Sequence, residues 1–150
     1  MKHLLRLYGA VAALAVVAAI VAGGALAAGN AAPKATGDIW FVNPYSGNAP
    51  AHFVFNALGG STAKGNVSYD DPSGSYTGKV TSVTVAGNQA TFTAQVTSST
   101  LPGVSVGSSY TWTVTDVSEP GVGNDYFVGV GNGFTTPPLT VTAGNIQVQS

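Results

Sequence analysis

Ala90-Thr91-Phe92-Thr93-Ala94-Gln95-Val96-Thr97 decides the fold class. Ala90, Phe92, Ala94 and Val96 share one parity, while Thr91, Thr93, Gln95 and Thr97 share the other. A strand sends successive side chains to opposite faces, so this run has an apolar side and a hydroxyl-rich side. The same period recurs along the chain. Tyr110, Trp112 and Val114 alternate with Thr111, Thr113 and Thr115, and Phe53 and Phe55 alternate with Val54 and Asn56. Leu139, Val141 and Ala143 alternate with Thr140 and Thr142, and Ile146 and Val148 alternate with Asn145, Gln147 and Gln149. These β-branched and aromatic residues suit a pleated, half-buried surface. No window after residue 30 carries a helical apolar period.

Turn signals divide the runs. Ala86-Gly87-Asn88-Gln89 reads as a tight hairpin, and Asp71-Pro72-Ser73-Gly74 as a type I turn with Pro at its second position. Leu101 to Gly107, Glu119 to Asn124 and Gly131 to Pro138 are longer loops. Val80 falls on one parity and Val83 and Val85 on the other, which predicts a bulge near Ser82. About seven or eight short strands without a helix make an all-β antiparallel meander. Short sequential loops favour a closed or nearly closed up-and-down β-barrel, whose closure removes edges that a Lys-poor chain cannot blunt by charge. A two-sheet β-sandwich is the alternative.

The N-terminus reads differently. Lys2, His3 and Arg6 precede an apolar run from Leu7 to Ala22, and Ala25-Leu26-Ala27 offers small residues at a cleavage site. Residues 1–27 are therefore expected to be a cleaved signal helix, and the protein to be secreted. The alternative is a retained N-terminal membrane anchor, since Leu7 to Ala28 approaches a span of roughly 20 residues. Gly23 and Gly24 interrupt that stretch, and no basic cluster follows it. Residues 28–37 read as a flexible leader and 38–150 as a single β-domain.

Only 7% of the 150 residues are charged, well under the usual quarter. The net charge of −1 supplies no basic footprint for nucleic acid. The absence of Cys excludes a disulfide scaffold, a thiol enzyme and a Cys-ligated zinc site. An exported domain without disulfides fits a bacterial cell surface. Beyond the signal, Lys34, Lys64 and Lys79 stand against Asp38, Asp70, Asp71, Asp116, Glu119 and Asp125, and three minus six is a net −3. Threonine on the outward faces keeps so uncharged a chain in water.

Few residues could carry chemistry. Gly103-Val104-Ser105-Val106-Gly107 matches G-x-S-x-G, but that elbow needs a strand-to-helix turn, and here a strand follows. His52, the sole histidine after the signal, would have to be the base; a lone His is usually a surface or capping residue. Asp70-Asp71 is the one adjacent carboxylate pair, and on a strand its members face opposite ways. Asp71 more simply starts the turn by accepting nearby backbone N–H groups. Asn66-Val67-Ser68 fits the N-glycosylation triplet, a pattern common by chance.

Gly121-Val122-Gly123-Asn124-Asp125-Tyr126-Phe127 matches most of one calcium nonapeptide, with Pro120 in place of its first Gly. Asp116, Glu119 and Asp125 are hard oxygen donors, so a structural calcium is the one cofactor considered, and none is otherwise expected. The aromatic residues form the other candidate set. Trp112 shares the Tyr110/Val114 parity and reads as core, whereas Trp40, Tyr45 and Tyr126 could stack on sugar if exposed. Gly129, Gly131 and Gly133 suggest close backbone approach or a bulged loop.

Several stretches together resemble the secreted bacterial post-COAP type β-domains. These are Lys64 to Pro72, Val83 to Phe92, Tyr110 to Asp116, Glu119 to Phe127 and Gly144 to Val148, in order across residues 56–149. The resemblance implies an exported, non-catalytic, all-β accessory unit and brings no site residues with it. Gln149 stands where a His is expected after Ile-Gln-Val, and residues 38–55 are not covered. The leading expectation is a secreted, non-catalytic β-domain with a structural or adhesive role, its partner a cell-surface polysaccharide or surface protein. A carbohydrate-binding module using exposed Trp and Tyr is the alternative, and a small extracellular hydrolase a third.

Overall fold

The computed structural model describes residues 31–150; the expected signal, 1–27, lies outside the described residues. The chain runs β1 (Lys34–Asn43), a 3-10 turn (Pro44–Ser46), β2 (Ala49–Leu58), β3 (Lys64–Asp71), β4 (Gly74–Ala86) and β5 (Gln89–Ser99). It continues through β6 (Ser109–Thr115), β7 (Tyr126–Gly131), β8 (Phe134–Thr135) and β9 (Leu139–Gln149). Each strand from β1 to β7 pairs antiparallel with the next, and β9 pairs with both β7 and β1. Eight strands thus close an up-and-down barrel, with β8 outside the ring on β7; the sandwich is excluded.

Parity placed most side chains correctly. Phe53, Phe55, Phe92, Tyr110, Trp112 and Val114 are buried inside, and Ile39, Val141 and Ile146 complete the core. Outside, the hydroxyls of Thr91 and Thr113 meet at 3.0 Å and those of Thr93 and Thr111 at 2.8 Å. Such cross-strand pairs tie neighbouring strands while remaining polar. An apolar inside and a hydroxyl-rich outside reverse the pattern of a lipid-facing barrel. Among the described residues, no helix is long and apolar enough to cross a membrane.

The break in period expected near Ser82 is a bulge, and β9 carries a second. The β4–β5 register slips between Val80 and Ser82, which returns Val83 and Val85 to the interior side. The two runs at the C-terminus are one strand, β9, whose register against β1 slips between Trp40 and Phe41. The extra residue, Thr142, donates its hydroxyl proton to the Trp40 carbonyl at 3.0 Å. That slip lets Val141 and Ile146, of opposite parity, both point inward.

Two boundaries are corrected. The leader expected over 28–37 gives way to strand at Lys34, because β2 and β9 pair with both edges of β1 there. Gly37 hid this strand from a pattern reading: the Phe55 ring occupies the space a side chain at 37 would need. The expected loop from Gly131 to Pro138 contains β8, which pairs with Val130 and Gly131. Pro137 and Pro138 donate no N–H, so the ladder stops there and resumes at Leu139.

The β6–β7 connection folds over one end of the barrel and is pinned by Asp125. This carboxylate is fully buried and accepts from Val117 N and Ile146 N, both at 2.9 Å. Asn145 ties the same loop by accepting from Gly121 N at 3.0 Å and donating to Glu119 Oε1 at 2.7 Å.

Candidate ligand-binding site

The opposite end of the barrel is open. Alternation of strand direction brings the β1–β2, β3–β4, β5–β6 and β7–β8 connections together there. Below them the interior holds a cavity of about 620 Å³. Phe53, Trp112 and Phe127 make its floor: the Phe53 ring centroid is 5.2 Å from Trp112 and 5.8 Å from Phe127. One wall is a row of tyrosines, with Tyr69 stacked 5.1 Å from Tyr76 and Tyr76 stacked 6.0 Å from Tyr110. Opposite them Gly129 faces the cavity with no side chain. At the rim Tyr45 and Phe134 lean together at 6.0 Å.

Sequence explains the local geometry. Asn43 caps the 3-10 turn by accepting from Tyr45 N at 2.9 Å, which fixes Tyr45 over the mouth. Its amide nitrogen then donates to the Tyr69 hydroxyl at 2.7 Å and to Asp71 Oδ2 at 3.2 Å. The Tyr69 hydroxyl donates to the same Asp71 oxygen at 2.7 Å, and Ser73 N donates to Asp71 Oδ1 at 2.7 Å. Ser46 Oγ is buried beside this cluster, close enough to Asp71 to favour its ionised form. On the far rim Asn132 Nδ2 donates to the Tyr110 hydroxyl and, at 3.1 Å, to the Gly103 carbonyl.

The cluster's protons are held firmly. Burial pushes the Asp71 carboxyl up, but donors from Tyr69, Ser73, Ser46 and Asn43 outweigh it and hold the group below the usual carboxylate range. Tyr69 is pushed far above the ordinary phenol range, first by burial and then by its bond to the Asp71 carboxylate. Burial raises Tyr76 in the same way, with its tyrosine neighbours adding to the shift. At neutral pH the cavity therefore contains the Asp71 carboxylate beside un-ionised Tyr69 and Tyr76.

The residues singled out from sequence are dispersed. Tyr45 sits at the cavity rim. Trp40 is 42% exposed on the outer face of β1, stacked on His52 at 4.5 Å and 12°. Tyr126 is half-buried at the start of β7, paired with Thr115 and Thr140 away from the cavity. The acids considered for calcium are not gathered into one site: Asp125 takes two backbone N–H groups, Asp116 Oδ2 accepts from Val148 N at 3.1 Å, and Glu119 faces Asn145. No group of three or more metal-binding side chains occurs among the described residues. His52 Nε2 lies 2.7 Å from Asp38 and Nδ1 3.4 Å from Asp70, so neither nitrogen is directed at Ser105.

Pattern reading missed Asn43, Tyr69, Asp71, Tyr76, Tyr110 and Asn132 as a set. A usable signal was present: Tyr69, Tyr76 and Tyr110 all occupy inward parity near the same strand ends. Gly131 and Gly133 resolve into two roles, with Gly131 packed under the Tyr110 ring and Gly133 in the β7–β8 turn. No family model, curated protein or solved structure matches the chain.

Proposed function

We propose that this is an exported, non-catalytic barrel that binds a small, largely apolar molecule in its open end. The cavity of about 620 Å³ carries the reading. It falls within the range of roughly 300–1,000 Å³ typical of small-molecule sites, and barrel mouths are a favoured place for them. An eight-stranded barrel is just wide enough to be filled by side chains or to hold one small ligand. Here aromatic rings pack the waist, while the mouth keeps its space and a fixed polar cluster. A purely structural barrel gains from filling such space, because voids cost stability in proportion to their volume. The lining includes one carboxylate and no His, Lys or Arg, which favours binding over catalysis. The apolar run from Leu7 to Ala22 and the resemblance over residues 56–149 support export.

Titration with neutral N-phenyl-naphthylamine tests this reading. The dye should brighten on entering the cavity and draw energy from Trp112 in its floor. Val104→Trp, at the mouth, should abolish the response without lowering the melting temperature. Equal brightening with both proteins would refute an internal site.

A second reading, adhesion to polysaccharide through the outer face, is favoured by the exposure of Trp40 beside His52. Flat rings on a polar sheet can stack on sugar without involving the cavity.

A further inference from the structure

We infer that the cavity takes an organic cation: Asp71, with the neighbouring tyrosine faces, receives a primary ammonium group carried on an apolar or aromatic body. This rests on the reading of the cavity as a binding site and adds the class of ligand.

The charge inventory comes first. Asp71 is the sole Asp, Glu, His, Lys or Arg side chain lining the cavity. Its bonding partners are all neutral: Tyr69, Asn43 and Ser73 N. Neutral donors stabilise a carboxylate without cancelling its charge. The ion pairs among the described residues lie elsewhere, between His52 and Asp38 or Asp70. The mouth therefore keeps an uncompensated negative charge beside a low-dielectric interior, where a like charge is repelled and an opposite one attracted more strongly than in water.

The hydrogen-bond inventory narrows the cation. A carboxylate offers about four acceptor sites. Three are taken, two on Oδ2 and one on Oδ1, and the Ser46 hydroxyl stands beside the same group. The Ser46 oxygen, buried beside Asp71, accepts no hydrogen bond from the protein. A carboxylate charge beside a hydroxyl oxygen still able to accept suits a primary ammonium better than a quaternary one, which has no N–H to give. The stacked Tyr69, Tyr76 and Tyr110 rings add the negative faces that attract cations. Below them the floor of Phe53, Trp112 and Phe127 suits an apolar body.

Three probes of one shape test the inference on the full chain: phenethylammonium, phenethyl alcohol and hydrocinnamate, followed by calorimetry. The ammonium should bind about tenfold or more tighter than the alcohol, as a charge-assisted bond implies, and hydrocinnamate should be weakest. Asp71→Asn should bring ammonium binding down to that of the alcohol, while Asp70→Asn, on the outer face, should leave the ranking as it is. If the alcohol or hydrocinnamate binds as well as the ammonium, or if none of the three binds while the neutral dye still enters, the cation inference falls and the cavity reading stands. If the dye also fails to enter, both fall. Should Asp71→Asn not fold, the ranking on the unaltered protein decides alone.

Discussion

Gly131 lies against the ring of Tyr110, so close that a β-carbon at 131 would overlap three atoms of that ring. The contact fixes Tyr110 as the end of the tyrosine row, and Asn132 holds its hydroxyl from the next turn. Gly131→Ala should therefore act on fold and site together. Overpacking of this kind costs about 1–3 kcal/mol. The ring can relieve the overlap only by swinging into the cavity, so dye affinity should fall along with the melting temperature. Thermal melts and dye titration of the same variant check this. Lower stability with unchanged binding would show that Tyr110 does not bound the ligand space.

Alkaline pH should unfold the barrel through its tyrosines. Burial raises Tyr69 and Tyr76 well above the phenol range, so both stay protonated in the fold after an exposed tyrosine has ionised. A group raised on folding contributes stability that is complete below its unfolded pKa, about 10 for Tyr, and is lost as pH rises beyond it. Stability should thus be flat up to about pH 10 and then decline. Tyr69→Phe and Tyr76→Phe should each make the decline shallower. At the acid end Asp71, lowered on folding, contributes stability lost as pH falls below about 4. That loss should be small, because the group is only half-buried. Denaturant melts across pH, with tyrosinate absorbance as a second probe, read both limbs.

Asp125 should matter to the fold rather than to a metal. Its two oxygens each accept one backbone N–H, from Val117 and Ile146, in a fully buried position. Asp125→Asn keeps the shape but turns an NH2 group toward one of those donors. An unsatisfied buried group costs about 1–3 kcal/mol. The variant should melt clearly lower, whereas Glu119→Gln, on the exposed side of the same loop, should change little. A calcium chelator should leave the unaltered protein's melting temperature in place; a drop on chelation would return these acids to the role of ligands.

Strand parity made the barrel legible, and its limits mark what was not. Ala90 to Thr97 and Tyr110 to Thr115 carry inside and outside in their own alternation, so burial follows from sequence. Trp40 and Phe41 do not, because neighbours of equal bulk leave the inward member open until the β1–β9 register is known. The strand at Lys34 to Gly37 was hidden because Gly37 is small for the sake of a ring on another strand. The cavity was invisible for a related reason: it depends on where rings from β2, β3, β4, β6 and β7 meet. Sequence classed Trp112 as core correctly, yet the same residue also lines the cavity. Asp71 read as a turn former and is one, through Ser73 N; its place in the polar cluster at the mouth comes from Asn43, distant in sequence.

Trp40 separates the two readings of function. Its ring stacks on His52, which Asp38 holds at 2.7 Å, and all three stand on the outer face rather than in the cavity. Trp40→Ala removes one exposed stacking pair, a loss of about 1 kcal/mol. Cavity binding of dye or ammonium should be unaltered, since no part of Trp40 lines that space. Electrophoresis through gels of soluble polysaccharide then asks the other question. Retardation of the parent that disappears in Trp40→Ala would establish the outer face as a sugar platform, independent of the cavity. Mobility unchanged in both would leave the Trp40–His52 stack as a surface contact that stiffens β1 against β2, and the cavity as the functional site.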